Sequence, residues 1–390
     1  MPVYARLSDF EREAARRLPR FLAEYIDGGA GSESTMARNI ADLAAIGLKQ
    51  RVLRNVADIN LETQLFDETL ALPVVLSPVG LGGLAARRGE VQAGRAAHRA
   101  GANLCVSTLA ACSLPELTTA LERPFWFQLY ILRDRAFVDR LVDALEAARC
   151  PVLVLTVDLP MPGARARDRH SGLYATPGLQ RSLRLALQVA ARPRWALDVG
   201  LRGRPLIPGN VAPLMQPGAS VDGYMDWIVR NNDPRITWDD LARLRQRWKG
   251  PLLVKGILDV EDARRAVALG ADGLIISNHG GRQLDGAMST ARALPLIAAA
   301  LDGSTPLLVD GGVRSGADVF RLLALGASAV MLGRPWVHAL AANGEAGVAA
   351  MLAILAHELR TTMALTGCTR ISAIGPDALI PAASTPPPPR

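Results

Sequence analysis

The chain is poor in the features that several classes of protein depend on. It has four cysteines in 390 residues, Cys105, Cys112, Cys150 and Cys368. None has the spacing of a metal-ligand pair, so they read as reduced core thiols of a protein on the cytosolic side, and no metal site is expected. Aromatic residues make up 5% of the chain, and no Lys/Arg run is interleaved with them. The net charge of +7 therefore does not amount to a nucleic-acid surface; it suits an anionic lipid or substrate better. No signal peptide is expected, because Met1 to Arg20 is charged throughout. The longest uncharged stretch, Thr69 to Ala86, is broken by Pro73, Pro78, Gly80, Gly82 and Gly83, and reads as a strand and a turn rather than a membrane span.

What the chain does have is a repeated alternation. Short apolar runs recur at Pro73–Pro78, Ala102–Thr108, Pro124–Tyr130, Pro151–Asp158, Pro251–Ile257, Gly273–Gly280, Pro306–Gly312 and Ala329–Arg334, mostly with helical patterns between them. Strands alternating with helices imply a parallel sheet with right-handed crossovers. Eight such units match a (β/α)8 TIM barrel, with functional residues at the C-terminal strand ends. A doubly wound open sheet is the alternative, disfavoured because no GxGxxG turn follows the first run. Residues 1–60 read as a helical preface, residues 1–380 as one domain, and the proline-rich 381–390 as a disordered tail.

One gap is too long. Residues 171–235, after the fourth run, form an insertion. Within it, Thr176 to Met215 carries Arg181, Arg184, Arg192, Arg194, Arg202 and Arg204 against one acid, Asp198, with leucines interleaved. Such a segment can lie on an anionic membrane surface. It can equally be a lid over the barrel mouth or a subunit contact.

The most informative stretch is Ser277 to Gly286, SNHGGRQLDG, directly after Gly273-Leu274-Ile275-Ile276. It places His279, which can take a proton near neutral pH, three residues from Arg282, which can grip a carboxylate with two parallel bonds. That pairing suits removal of a proton from the carbon beside a carboxylate, although a plain strand-to-helix turn would use the same glycines. The other strand ends are polar too: Ser107, Gln128, Tyr130, Thr156, Asp158, Lys255 and Asp310. Asp310-Gly311-Gly312-Val313-Arg314 and Gly333-Arg334 close the last two runs, where barrels commonly hold a phosphate.

With those residues in view, the chain resembles the FMN-dependent 2-hydroxyacid dehydrogenase/oxidase family from about residue 8 to 380. The resemblance rests on SNHGGRQLDG, WFQLY at 126–130, TVD at 156–158, LVKGI at 253–257 and the DGG and GR turns. Segments such as YIDGGAGSESTMARN, SPVGLGG, PGARARDRHSG and WALDVGLRGRP are most similar to the bacterial respiratory L-lactate dehydrogenase branch.

The resemblance implies FMN as cofactor and oxidation of L-lactate to pyruvate, with a membrane quinone or an equivalent acceptor. (S)-Mandelate, another 2-hydroxyacid, or oxygen as acceptor remain alternatives. By the same resemblance His279 is the base and Asp158 its orienting carboxylate. Arg165 and Arg282 clamp the substrate carboxylate, with Arg167 a rival to Arg165, and Tyr25 and Tyr130 contact the substrate. Pro78, Val79, Gly80, Ser107, Gln128, Thr156, Lys255 and Ser277 would surround the flavin ring. Asp310, Gly311, Gly312, Arg314, Gly333 and Arg334 would hold its ribityl and phosphate. The family's oxidases generally carry alanine where this chain has Gly80. A peripheral place on the cytoplasmic side of the inner membrane and a homo-oligomer complete the expectation.

Overall fold

The computed structural model describes residues 3–173, 178–203, 206–215, 227–228 and 230–380. The tail 381–390 and, from the insertion, Thr176 and Arg204 lie outside them. All eight apolar runs contain a strand: β1 (Val74–Leu76), β2 (Asn103–Ser107), β3 (Trp126–Leu129), β4 (Leu153–Thr156), β5 (Leu252–Ile257), β6 (Gly273–Ile276), β7 (Leu307–Val309) and β8 (Ala329–Leu332). Each pairs in parallel with the next, and β8 returns to β1 through Val330 opposite Val74, closing the barrel. This is the (β/α)8 architecture expected from the alternation.

The two-residue period of a strand explains how one segment serves two cores. Val74, Leu76, Leu252, Val254, Leu274, Ile276, Leu307 and Val309 face outward into the layer shared with the helices. Val75, Cys105, Trp126, Val154, Leu253, Ile275, Leu308 and Met331 face inward and pack on one another. Two residues further along the same inward face stand Ser77, Ser107, Gln128, Thr156, Lys255, Ser277, Asp310 and Gly333. The barrel axis is therefore apolar in its middle and polar at its C-terminal end, and this places the site.

The other end is closed by a hairpin, Thr63–Leu65 with Glu68–Leu70, whose Leu65 and Leu70 join the inward cluster. The helical preface is shorter than expected. Helices cover Leu7–Arg17, Arg20–Asp27 and Ser34–Ala44, and residues 45–60 then run as irregular chain. That chain is fixed by bridges from Leu48 to Leu379 and from Asn60 to Arg370. The insertion is not a bare loop: Leu179–Ala190 is an α-helix, followed by helical turns at Pro193–Trp195 and Ala196–Leu201. Among the described residues one helix, Arg334–Thr366, is long and apolar enough to cross a membrane. It is kinked at Asn343 and Gly344 and packs against Leu7–Arg17, Gly89–Arg99 and Gly316–Ala324, as a core helix does.

Candidate active site

The polar strand ends open into one cavity at the C-terminal face, lined by residues from the barrel strands and the N-terminal segment. His279 follows β6 in a left-handed conformation (φ 56°), which aims its ring across the barrel toward Asp158 after β4. Its Nδ1 lies 3.0 Å and 3.2 Å from the two carboxylate oxygens of Asp158. A carboxylate at Nδ1 fixes the proton there and leaves Nε2 as the basic nitrogen. Burial would raise the Asp158 carboxyl, but the charges of His279 and Lys255 outweigh it and hold the group below its ordinary value. It is therefore ionised and suited to stabilise an imidazolium.

Two glycines make this geometry possible. Gly256 (φ 110°) passes so close to Asp158 that a Cβ on it would sit 2.6 Å from the Asp158 Cβ. Gly281 (φ 77°) lies against the Met36 backbone, where a Cβ would be 2.6 Å from the amide nitrogen. The second contact lets the N-terminal segment close over the turn. A reciprocal amide pair between Asn39 and Asn278, 2.8 Å in each direction, and an Asp285 carboxylate that accepts from Ser32, Ser34 and Thr35 fasten it there.

That closure brings Tyr25 to the cavity. The Arg165 and Arg282 guanidiniums lie 5.5 Å and 5.0 Å from its ring centroid, a cation–π arrangement that puts both positive charges at one mouth. Arg282 Nη1 donates to the carbonyls of Tyr25, Ile26 and Gly28. Arg165 Nε lies 3.3 Å from the buried Asp168 carboxylate. The rival Arg167 does not line the cavity; it is drawn off to Glu33 and Glu24. Tyr130 completes the wall, and burial, with Asp158 near it, pushes its phenol up, so it is a neutral hydrogen-bonding group.

Below this mouth lies a second polar layer. Lys255 Nζ donates to Ser277 Oγ at 2.7 Å and sits 3.2 Å from Asp310. Ser277 Oγ donates to Asp310 at 2.7 Å and accepts from the His279 amide at 3.0 Å. Burial would lower the Lys255 ammonium, but Asp310 and Asp158 raise it, so the cation persists deep in the barrel. Ser277 departs from its expected place: it stands behind the lining as the hub of this network. Asp158 and Gln128 also stand one layer back, the latter accepting from Ser107 Oγ at 2.9 Å.

The cavity fits FMN by its own chemistry. Ser77 Oγ, Gln128 Nε2 and Thr156 Oγ1 are buried without a hydrogen-bond partner, an arrangement that costs stability unless a ligand meets them. Pro78, Val79, Gly80, Ser107, Gly311, Gly312 and Gly333 line the same space. Arg314 and Arg334 line it too, and Arg334 lies beside Arg282, with which it shares the carbonyls of Ile26 and Gly28. Burial first, then the charges of Arg282 and Arg314, depress Arg334 to about 9, and a bound anion would offset these effects. Arg334 also donates to the carbonyls of Ile26, Gly280 and Gly28, so it ties the N-terminal segment to the barrel as well.

Some lining residues were not legible beforehand. Gln283 donates to the carbonyls of Asp158 and Met161 and accepts from the Gly163 amide, and so holds the loop that carries Arg165. Asp168, behind the lining, pairs with Arg165 three residues away, a helical spacing that could have flagged it. Leu159, Pro162 and Ile228 supply apolar wall, with no sequence signal.

Known proteins resemble the chain over nearly its whole length. The pattern of the family described as FMN-dependent dehydrogenase matches residues 14–381. A protein named L-lactate dehydrogenase from Stenotrophomonas maltophilia is 54% identical over 373 residues, covering 96% of this chain and 98% of the relative. One of the same name from Pectobacterium atrosepticum is 52% identical, covering 96% of each. Among solved structures, the monotopic membrane protein (S)-mandelate dehydrogenase superposes with a TM-score of 0.91 at 32% identity, covering 98% of this chain and all of that one. A mandelate oxidase gives 0.82 at 37% identity, covering 97% and 98%.

Proposed function

Because the chain belongs to the FMN-dependent dehydrogenase family and is an FMN-dependent oxidoreductase, we propose that it oxidises L-lactate to pyruvate and passes the electrons to a membrane quinone. The observation that carries the chemistry is the His279–Asp158 pair facing a mouth with two guanidiniums. The lactate assignment is supported by relatives of that name at more than half identity over nearly the whole chain.

Arg165 and Arg282 bind the substrate carboxylate, and Tyr25 and Tyr130 orient the acid by hydrogen bonds. His279 Nε2 takes a proton from the substrate, and Asp158 stabilises the resulting cation. Bound FMN supplies the two-electron acceptor for the substrate. Ser77, Ser107, Gln128, Thr156 and Lys255 would hold its ring, and Asp310, Arg314 and Arg334 its ribityl phosphate. Steady-state turnover with a soluble dye should give the highest kcat/KM with L-lactate among lactate, glycolate, 2-hydroxybutyrate and mandelate. A clear preference for (S)-mandelate would move the substrate reading to the bulkier acid named in the structural neighbours.

The acceptor reading makes Gly80 informative. A Cβ there would meet Leu109 Cβ at 3.3 Å and Leu109 O at 3.6 Å, so alanine needs only a small shift. Peroxide released in air should be slow for the native protein and faster for Gly80→Ala. Rapid peroxide release by the native protein would make it an oxidase.

Peripheral membrane contact is supported by an apolar ridge on the insertion. Leu179, Leu183 and Leu187 are 86%, 59% and 61% exposed at four-residue spacing, and Leu197 and Leu201 repeat the pattern one element on. Exposed Arg184, Arg194 and Arg202 flank them. Deleting the insertion would be a poor test, since Gln188, Arg192 and Trp195 hydrogen-bond to the body of the protein. Leu179→Ser with Leu183→Ser and Leu187→Ser should instead weaken binding to anionic vesicles about tenfold or more, leaving dye-linked turnover intact. Unchanged vesicle binding would assign the ridge to a subunit contact.

A further inference from the structure

The turns that follow β1 and β2 give the cavity part of its wall through Gly80 and Leu109. On the cavity side a backbone bond joins them, from the Leu81 amide to the Leu109 carbonyl at 2.9 Å. Behind the wall a side chain joins them again. Glu90, in the first turn of the helix Gly89–Arg99, is only 2% exposed. Its Oε1 accepts from the Gly83 amide at 3.2 Å and from the Ala111 amide at 2.8 Å. Gly83 lies three residues beyond Gly80, and Ala111 two beyond Leu109. One carboxylate oxygen therefore fixes both turns.

The junction is tight. A Cβ on Gly83 would fall 2.6 Å from the Ala111 Cβ, and one on Gly89 would fall 2.6 Å from the Gly82 carbonyl oxygen. The two turns and the start of the helix are thus in direct contact, with the carboxylate where they meet. Trp336 packs its ring on Gly82 and donates from Nε1 to the Ser77 carbonyl at 3.1 Å, so the β1 turn is held there as well. The β2 turn carries the constraint into the polar layer. Its Leu109 amide donates to Ser107 Oγ at 3.1 Å, and that hydroxyl donates to Gln128.

Stability alone does not call for an acid at this place. Among the described residues Glu90 makes no ion pair, and Arg88, two residues before it, is committed to Glu116. Its Oε2 is buried without a hydrogen-bond partner, which costs stability rather than adding to it. What the side chain provides is reach and lone pairs: one oxygen can accept from two amides on separate turns. Glu90 does not line the cavity, so it acts on the site only through those turns.

We propose that Glu90 is a positioning residue, which through the Gly83 and Ala111 amides sets the spacing of Gly80 and Leu109 and so the seat of FMN against that wall. The proposal rests on the reading of the cavity as the FMN site. The His279–Asp158 pair and the arginine mouth stand on other strand ends, so substrate binding should not depend on Glu90.

The test uses the FMN-loaded protein and three substitutions. Glu90→Asp keeps the charge but is too short to reach both amides, Glu90→Ala removes the acceptor, and Glu90→Gln loses the charge but keeps a carbonyl oxygen. Glu90→Asp and Glu90→Ala should release FMN about tenfold faster on dilution, read by the rise in flavin fluorescence, and should shift the visible flavin band. Both should slow flavin reduction at saturating L-lactate about tenfold, with KM little changed. Glu90→Gln should restore all of these. A folded Glu90→Asp with native FMN release, spectrum and reduction rate would overturn the proposal, even if it melts earlier. So would a Glu90→Gln as impaired as Glu90→Ala, since the charge and not the pair of bonds would then matter. If Glu90→Ala does not fold, Glu90→Asp carries the test. Failure of L-lactate to bleach the native protein would instead sink the substrate reading, while FMN release and the spectrum would still decide the role of Glu90.

Discussion

Replacing His279 by glutamine is expected to leave FMN bound and to slow its reduction by L-lactate by ~100- to 10,000-fold, the usual contribution of a positioned general base. Glutamine keeps a hydrogen-bonding group at the end of β6 but cannot take the proton. The side chains proposed to hold FMN come from other strand ends, so cofactor content should hold. Asp158→Asn should give a smaller defect of the same kind, because it removes the charge that stabilises the imidazolium 3.0 Å away. Stopped-flow absorbance under argon measures both. Near-native reduction in His279→Gln would remove the histidine from the mechanism.

The second large effect is expected at the paired guanidiniums. Arg165→Lys and Arg282→Lys keep a positive charge but lose the planar fork, and a charge-assisted bond is worth ~1.5–3 kcal/mol, about 10- to 100-fold in kcat/KM. Arg282→Lys should be the worse of the two, since it also releases the carbonyls of Tyr25, Ile26 and Gly28 and loosens the segment that carries Tyr25. Arg167→Lys should cost much less, because that side chain is committed to Glu33 and Glu24. Kinetics of the three variants, with thermal melts to separate loosening from lost binding, decide the matter. A larger loss of kcat/KM in Arg167→Lys than in Arg165→Lys would exchange their roles.

The strands could be read in the sequence because parallel strands of a barrel are buried on both faces, which leaves continuous apolar runs such as Gly273–Ile276. The site could be read because a period of two carries each inward face from an apolar residue to a polar one at the strand end, as from Leu253 to Lys255. The hairpin at 63–70 escaped notice: its strands have three residues each, with charges between and beside them, and only Leu65 and Leu70 point inward. The irregular chain of 45–60 is held by partners more than three hundred residues away, which no local pattern reveals. Long sequence separation also hid what Arg282 and Arg334 do besides meeting anions. Their carbonyl partners lie in the N-terminal segment, so the two arginines also assemble the mouth. The insertion announced its composition, but only the fold shows that Leu179, Leu183 and Leu187 turn outward.

We propose that this barrel uses His279 and its arginine mouth to oxidise L-lactate through bound FMN. The most direct measurement mixes the purified holoprotein, under argon and without any acceptor, with L-lactate or D-lactate, and follows flavin absorbance together with pyruvate formed. Complete bleaching by L-lactate, one pyruvate for each flavin reduced, and no comparable change with D-lactate are expected. An absorbance left unchanged by L-lactate would contradict the proposal.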